Sequence, residues 1–250
     1  MIPKILHYMS PRGQLSEAQK NCINSFVKYN PELKIMHWTD DSTTKFIKEN
    51  YNEDFYNMWI QNIKGGSRAR GILKKWDSAR LYIINKIGGV WTDSDCTCLK
   101  PLDSLFNYDL VIRKPIFRYG PMFDDQYNFT HTPPHICNAF FACEANNDII
   151  NEIIKNIAIR FHEDPLQNVG TATACLLYGE VVQNRIEDKN LGNTKLLDYF
   201  EFKEGPERLD WIDKSEFKKM MVIHKMNDNK KRYKSFPKKI TLSEARILYK

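Results

Sequence analysis

Between Ile2 and Thr92, short strand-like runs alternate with segments whose apolar residues recur at helical spacing, and no other feature restricts the fold so much. Ile2-Pro3-Lys4-Ile5-Leu6-His7-Tyr8 reads as an opening strand. Ser16-Glu17-Ala18-Gln19 has the form of a capping box, and Leu15, Ala18, Cys22, Ile23, Phe26 and Val27 then follow one helix face until Asn30-Pro31. Leu33–Thr39 reads as a second strand, and Asp40-Asp41-Ser42 as the cap of the next helix. Behind Gly65-Gly66-Ser67 comes the longest helical pattern, with Ala69, Ile72, Leu73, Trp76, Ala79, Ile83 and Ile87 on its apolar face. Gly88-Gly89 stands where a helix ends in a left-handed residue, and Val90-Trp91-Thr92 follows as a strand. Strand, helix, strand, helix in this order requires crossover connections and a largely parallel sheet. Further strands are expected at Asp109–Arg113, Ile136–Cys143, Thr194–Phe200 and Met220–His224, and helices at Asp148–Phe161 and Thr171–Val182. The class is α/β.

A chain with 42% hydrophobic and 27% charged residues builds an ordinary soluble core, which excludes collagen-like, coiled-coil and disordered states. The longest apolar runs, Ala139–Cys143 and Ala174–Tyr178, are far short of the roughly 20 residues a membrane helix needs. The first residues lack the apolar stretch of a signal peptide, so a cytoplasmic location is expected. The six cysteines have no CxxC or zinc-type spacing and read as free thiols, with Cys96 and Cys98 on one strand face. Residues 225–250 carry nine Lys/Arg against Asp228 and Glu244, whereas residues 1–224 are close to neutral. One domain over 1–224 and a basic extension over 225–250 are therefore expected. The extension, with Leu242, Ala245, Ile247 and Leu248 as an apolar stripe, either docks on the domain or makes weak contact with an anionic membrane. No nucleic-acid partner is expected.

The chemistry is concentrated in Trp76–Tyr82 and Gly88–Asp95. Asp77 and Arg80 are three apart and share a helix face. Asp93 and Asp95 follow a strand whose carboxyl end is where open α/β sheets bind ligands. Alternate residues of an extended chain would aim both carboxylates at one hard cation, which completes its shell from water and substrate phosphates. A calcium loop is excluded, because Cys98 and Ser104 occupy its glycine and glutamate positions. Asp93-Ser94-Asp95-Cys96-Thr97 also has the DxDxT form of haloacid-dehalogenase-type phosphatases. That motif normally ends the first strand of its fold, and here a longer unit precedes it.

The whole stretch resembles the DXD-containing sugar transferases of glycosyltransferase family 32, relatives of yeast outer-chain mannosyltransferases and clostridial glucosylating toxins. The residues that carry the resemblance are Asp77-Ser78-Ala79-Arg80-Leu81-Tyr82, Gly88–Asp95 and Pro101-Leu102-Asp103, together with the Ile2–Tyr8 opening, Asn30-Pro31, Trp38 and Asp40. It implies a GT-A fold, with a Rossmann-like, mostly parallel central sheet flanked by helices. It also implies a nucleotide-sugar donor, Mn2+ or Mg2+, a carbohydrate acceptor, and transfer of a hexose with retention. Asp77 and Arg80 would contact donor sugar and diphosphate, Asp95 would bind the metal, and Asp93 would bind ribose or the metal. Trp91 would pack beside the nucleotide or in the core. The family's base-stacking tryptophan is replaced by Met9-Ser10, leaving Tyr8 or another ring for that role. His224 and Lys230 resemble the histidine metal ligand and diphosphate-binding lysine of other metal-dependent GT-A enzymes. Asn138 and the Asn168–Thr171 segment fall where the family builds its sugar and acceptor pocket, and Asp124-Asp125 on the preceding loop would bind acceptor hydroxyls. The reading from a different class is a catalytically silent sugar-nucleotide- or glycan-binding homologue.

Overall fold

A computed structural model describes residues 1–61, 68–116, 122–123, 129–130, 134–163, 175–198, 201–204 and 221–224. Asp124, Asp125, residues 168–171, Lys230 and the 225–250 extension lie outside the described residues.

The strands are β1 (Ile5–Met9), β2 (Lys34–Trp38), β3 (Gly89–Thr92), β4 (Cys96–Cys98), β5 (Leu110–Arg113), β6 (Met122–Phe123), β7 (Phe129–Thr130), β8 (Phe140–Cys143), β9 (Thr194–Leu197), β10 (Phe202–Glu204) and β11 (Val222–His224). The helices are α1 (Glu17–Tyr29), α2 (Asp40–Asn50), α3 (Glu53–Gln61), α4 (Arg68–Ile87), α5 (Asp148–Glu163) and α6 (Cys175–Glu187). Six strands form the central sheet in the order β2-β1-β3-β8-β5-β9. The β2–β1, β1–β3 and β5–β9 pairs are parallel, whereas β8 runs antiparallel to both β3 and β5. A smaller sheet, β10-β11-β4, stands beside it.

Each face of the central sheet has its own core. Successive side chains of a strand point to opposite faces, and Phe140 and Phe141 accordingly enter different clusters. Phe26 of α1 packs with Leu6, Val90, Val111 and Phe140 on one face. Leu81 and Ile84 of α4, Ile153 and Ile157 of α5 and Tyr178 of α6 pack with Trp91, Ile112 and Phe141 on the other. Each such fully buried apolar side chain contributes roughly 2 kcal/mol.

Local chemistry sets the ends of the elements that matter for the site. Ser16 caps α1 in a reciprocal box with Gln19, as its sequence requires. The cap of α2 is Thr39 with Ser42 as its partner, so Asp40 is the first helical residue rather than the cap. Helix α4 stops at Gly88 (φ +71°), whose N–H donates to Ile84 O at 2.7 Å. Gly89 (φ +115°) is equally constrained, because a Cβ there would lie 2.6 Å from Ile5 O and 3.0 Å from His7 Nε2. The glycines therefore let β3 run close beside β1. Residues 136–139, expected as strand, are not. Ile136 N donates to Cys175 O, and the carbonyls of Asn138 and Ala139 accept from Arg80 and Asp93 N. Their backbone polar groups serve the site rather than a ladder.

Candidate active site

Chain order creates the site. From β1 the chain crosses through α1 to β2 on one side, whereas β3 pairs with β1 on the other. The carboxyl ends of β1 and β3 thus flank a topological switch point, the position where open α/β sheets bind ligands. An open cleft of about 230 Å³ lies there, lined by Met9, Pro11, Gln19, Trp76, Arg80, Trp91, Asp93, Ser94 and Asp95. Met9, Pro11 and Trp76 give it an apolar wall, and the acids, Arg80, Gln19 and Ser94 a polar one.

Arg80 is the hub. Helix α4 buries it to 8% exposure and aims its guanidinium at the end of β3. Nη2 donates to Asp77 Oδ1 at 2.7 Å, and Nη1 donates to Asp93 Oδ1 at 3.0 Å and to Asn138 O at 2.8 Å. The cation also sits 5.7 Å from the centre of the Trp91 ring. Burial works against the charge on this guanidinium, but Asp93 and Asp77 overcome it and hold the cation more firmly than usual. Asp77 responds in the other direction. Burial pushes its carboxyl up to about 6, against the pull of Arg80, and the neighbouring Asp93 charge adds to the rise. Asn138 Nδ2 donates to Asp77 Oδ1 at 3.4 Å, so the residue expected on the acceptor side supports Asp77.

Both bonds to the Asp93 carboxylate fall on Oδ1, from Arg80 and from Trp91 Nε1 at 3.2 Å. Oδ2 has no hydrogen-bond partner among the described residues, and 30% of the side chain remains exposed. Asp93 and Asp95 are not on an extended strand as the sequence suggested. Strand β3 ends at Thr92, Ser94 and Asp95 form a turn, and Cys96 N donates to Asp93 O at 3.0 Å to close it. The carboxylates reach the same cleft through that turn.

The two rings expected to contact the nucleotide each engage another side chain. The Tyr8 ring stacks on His37, with centroids 4.7 Å apart, and the cleft wall is formed by Met9 and Pro11 instead. Trp91 borders the cleft but is 1% exposed, a core ring whose N–H donates to Asp93. Sequence reasoning did not assign Gln19, Trp76 or Cys175 to the site. Trp76 Nε1 donates to Asp40 Oδ1 at 3.3 Å, and Asp40 is held by the buried Lys75 at 2.8 Å. Cys175 Sγ lies 3.7 Å from Asn138 Oδ1. Capping pattern and periodicity give no sign of these cross-chain partners.

Among the described residues no three His, Cys, Asp or Glu side chains form a metal-holding group. Burial, with Asp93 and Asp95 adjacent, pushes the Cys96 thiol well above its ordinary range. Asp93 and Asp95 leave a hard, oxygen-only donor pair. That set fits Mn2+ or Mg2+, which takes the rest of its shell from water and diphosphate. The backbone of β11 runs antiparallel to β4 with His224 opposite Cys96, the residue after Asp95.

The family described as glycosyltransferase sugar-binding region containing DXD motif matches residues 16–112. Inositol phosphoceramide mannosyltransferase 3 of Schizosaccharomyces pombe is 32% identical over 119 residues, which cover 45% of this chain and 30% of that protein. The chain spans about a third of the length of the fission-yeast mannosyltransferases it matches. An uncharacterized glycosyltransferase, L373, of Acanthamoeba polyphaga mimivirus is 22% identical over 204 residues, covering 79% of this chain and 71% of that protein. Among solved structures, PaToxG glycosyltransferase superposes with a TM-score of 0.51 at 15% identity, over 76% of this chain and 73% of that one. No described helix is long and apolar enough to cross a membrane. Residues 16–112, which hold Asp77, Arg80 and both carboxylates of the 93–95 turn, match the DXD-containing sugar-transferase family, and the fold is GT-A.

Proposed function

We propose that the protein is a metal-dependent glycosyltransferase that moves a hexose from a nucleoside-diphosphate sugar to a hydroxyl of a glycan or other acceptor, with retention at the anomeric carbon. The observation that carries this reading is the convergence of Asp77, Arg80, Asp93 and Asp95 on one cleft at the β1–β3 switch point. Asp95 and Asp93 Oδ2 would hold Mn2+ or Mg2+, and the bound cation would neutralise charge on the departing diphosphate. Arg80, fixed on three oxygens, cannot swing into solvent, so it offers a preorganised positive field beside that charge. Asp77, braced by Arg80 and Asn138, would orient donor hydroxyls. His224, which ends β11, and Lys230, which follows it in the chain, would complete the metal and diphosphate contacts. With the Tyr8 ring stacked on His37 and Trp91 almost wholly buried, Trp76, Met9 and Pro11 would form the seat of the nucleoside.

UDP is the favoured nucleotide. The yeast relatives are named as mannosyltransferases, which brings a mannosyl donor into consideration beside a UDP-linked sugar. The test is a panel of UDP- and GDP-sugars with Mn2+, reading nucleoside diphosphate released by transfer or hydrolysis. Turnover with one donor class supports the proposal. Tight nucleotide binding without turnover of any donor would instead make the protein a silent sugar-nucleotide-binding homologue.

A further inference from the structure

Helix α1 is joined to the segment that carries the two aspartates by a row of polar contacts along one face. Gln19 Nε2 donates to Ser94 Oγ at 2.8 Å, Cys22 Sγ lies 3.4 Å from Thr97 Oγ1, and Cys98 N donates to Ser25 Oγ at 2.8 Å. At the far end Leu102 N donates to Asn30 Oδ1 at 2.7 Å. The partners advance in step along helix and strand, so α1 fixes the register of residues 94–102. Gln19 differs from the others in two respects. Its Oε1 already accepts from Ser16 N at 3.0 Å and from Ser16 Oγ at 3.1 Å, which leaves the amide NH2 to face Ser94. Ser94 is also the residue between Asp93 and Asp95, at the turn itself, and both Gln19 and Ser94 line the cleft.

We infer that Gln19 is a positioning residue for the candidate metal and diphosphate site. It ties Ser94 to the capped, rigid start of α1, and through Ser94 it fixes the turn that presents Asp95. A three-residue turn held only at its ends samples several side-chain directions, and a carboxylate ligand must be held to within about 0.5 Å to be preorganised. Hydrogen bonds that orient ligating groups characteristically alter metal affinity by about ten- to a hundredfold. The Gln19–Ser94 bond is placed to do this for the 93–95 turn. The affinity consequence rests on the function proposed above, whereas the clamp itself does not.

Two measurements on the full chain test it. The first is Mn2+-dependent affinity for UDP or GDP, whichever binds the wild type more tightly, in Gln19→Leu, Ser94→Ala, the double variant and His7→Phe. Gln19→Leu and Ser94→Ala should each weaken it about tenfold. The double variant should be no weaker than the worse single one, because both remove the same bond. His7→Phe removes the buried bonds to Gly88 O and Trp38 Nε1 but leaves the clamp untouched, and should lower Tm while leaving affinity within about twofold. Ser94→Ala keeps the test open should Gln19→Leu fail to fold. The second is amide hydrogen exchange without ligand, where Gln19→Leu and Ser94→Ala should speed exchange across residues 93–98 selectively and His7→Phe should not. Additive losses, unchanged affinity in both single variants, or an equal loss in His7→Phe would overturn the inference. Should the wild type bind neither nucleotide, the proposed function fails, and exchange alone then decides. Faster exchange at 93–98 keeps the clamp, and unchanged exchange removes it.

Discussion

Two buried polar networks sit at opposite ends of β3, and they are built on opposite principles. At its start His7 is fully buried, its Nε2–H donating to Gly88 O at 2.9 Å while its Nδ1 accepts from Trp38 Nε1 at 3.1 Å. Both ring nitrogens are used, and burial lowers the imidazole to about 4, so it is neutral at any ordinary pH. At the other end Arg80, Asp77 and Asp93 form a charged cluster open to a cleft, with Asp93 Oδ2 left for something else. A closed neutral network specifies a fold, while a charged one with oxygens to spare specifies chemistry. Damage to the first should cost stability, and damage to the second should cost ligand binding and turnover.

The largest expected effect is Asp95→Asn, which should lower turnover about a thousandfold by removing a direct carboxylate, with little change in Tm. Steady-state kinetics beside a melting curve reads both. A melting point that fell as steeply as activity would erase the distinction between the two ends. Next comes Arg80→Leu, the one change that should hurt both fold and function. It strands Asp77 and Asp93 without their shared cation, costing about 3 kcal/mol of stability in denaturant titration along with nucleotide affinity. His7→Phe should follow at about 2 kcal/mol, since two bonded groups lose their partner. Nucleotide affinity of the folded protein should hold within about twofold, the expected mark of a stability-only change.

The smallest effects are in pH, where the two ends carry opposite signs. His7 is depressed from 6.5 to about 4, so its contribution is complete above pH 6.5 and is lost as pH falls towards 4. Asp77 is raised from 3.8 to about 6, so the folded state takes its proton first and gains relative stability as pH falls through that window. Acid destabilisation between pH 6.5 and 4 should therefore be milder in His7→Phe. Donor affinity should fall below about pH 6 as Asp77 loses the charge that faces Arg80, and Asp77→Asn should flatten that limb. A limb that survived in Asp77→Asn would assign it to another group.

The unequal legibility of the two ends has a physical basis. Signals closed within a few residues were readable. They include the Ser16–Gln19 cap, the Asp77–Arg80 helix face, the Gly88-Gly89 stop and the acids after it. The expected free, buried thiols are also found, with Cys96 and Cys98 on the same buried face and Cys175 alone half-buried. What could not be read depends on contacts between distant segments. Arg80 meets Asn138 O across 58 positions, Gln19 meets Ser94 across 75, and His7 meets Gly88 across 81. The antiparallel insertion of β8 between β3 and β5 is of the same kind, because an apolar run states its burial but not its direction. The 93–95 turn eluded the strand reading because a backbone bond, Cys96 N to Asp93 O, breaks the alternation that a hydrophobic pattern implies.

The central claim is that the charged end of β3 exists to hold a cation together with a nucleoside diphosphate. Titration of Mn2+ into the protein, followed by the electron paramagnetic resonance signal of the free ion, tests it most directly. With UDP or GDP present, the account predicts one tightly held Mn2+ in the wild type and in His7→Phe, and its loss in Asp95→Asn. Equal Mn2+ uptake by Asp95→Asn and wild type would contradict it.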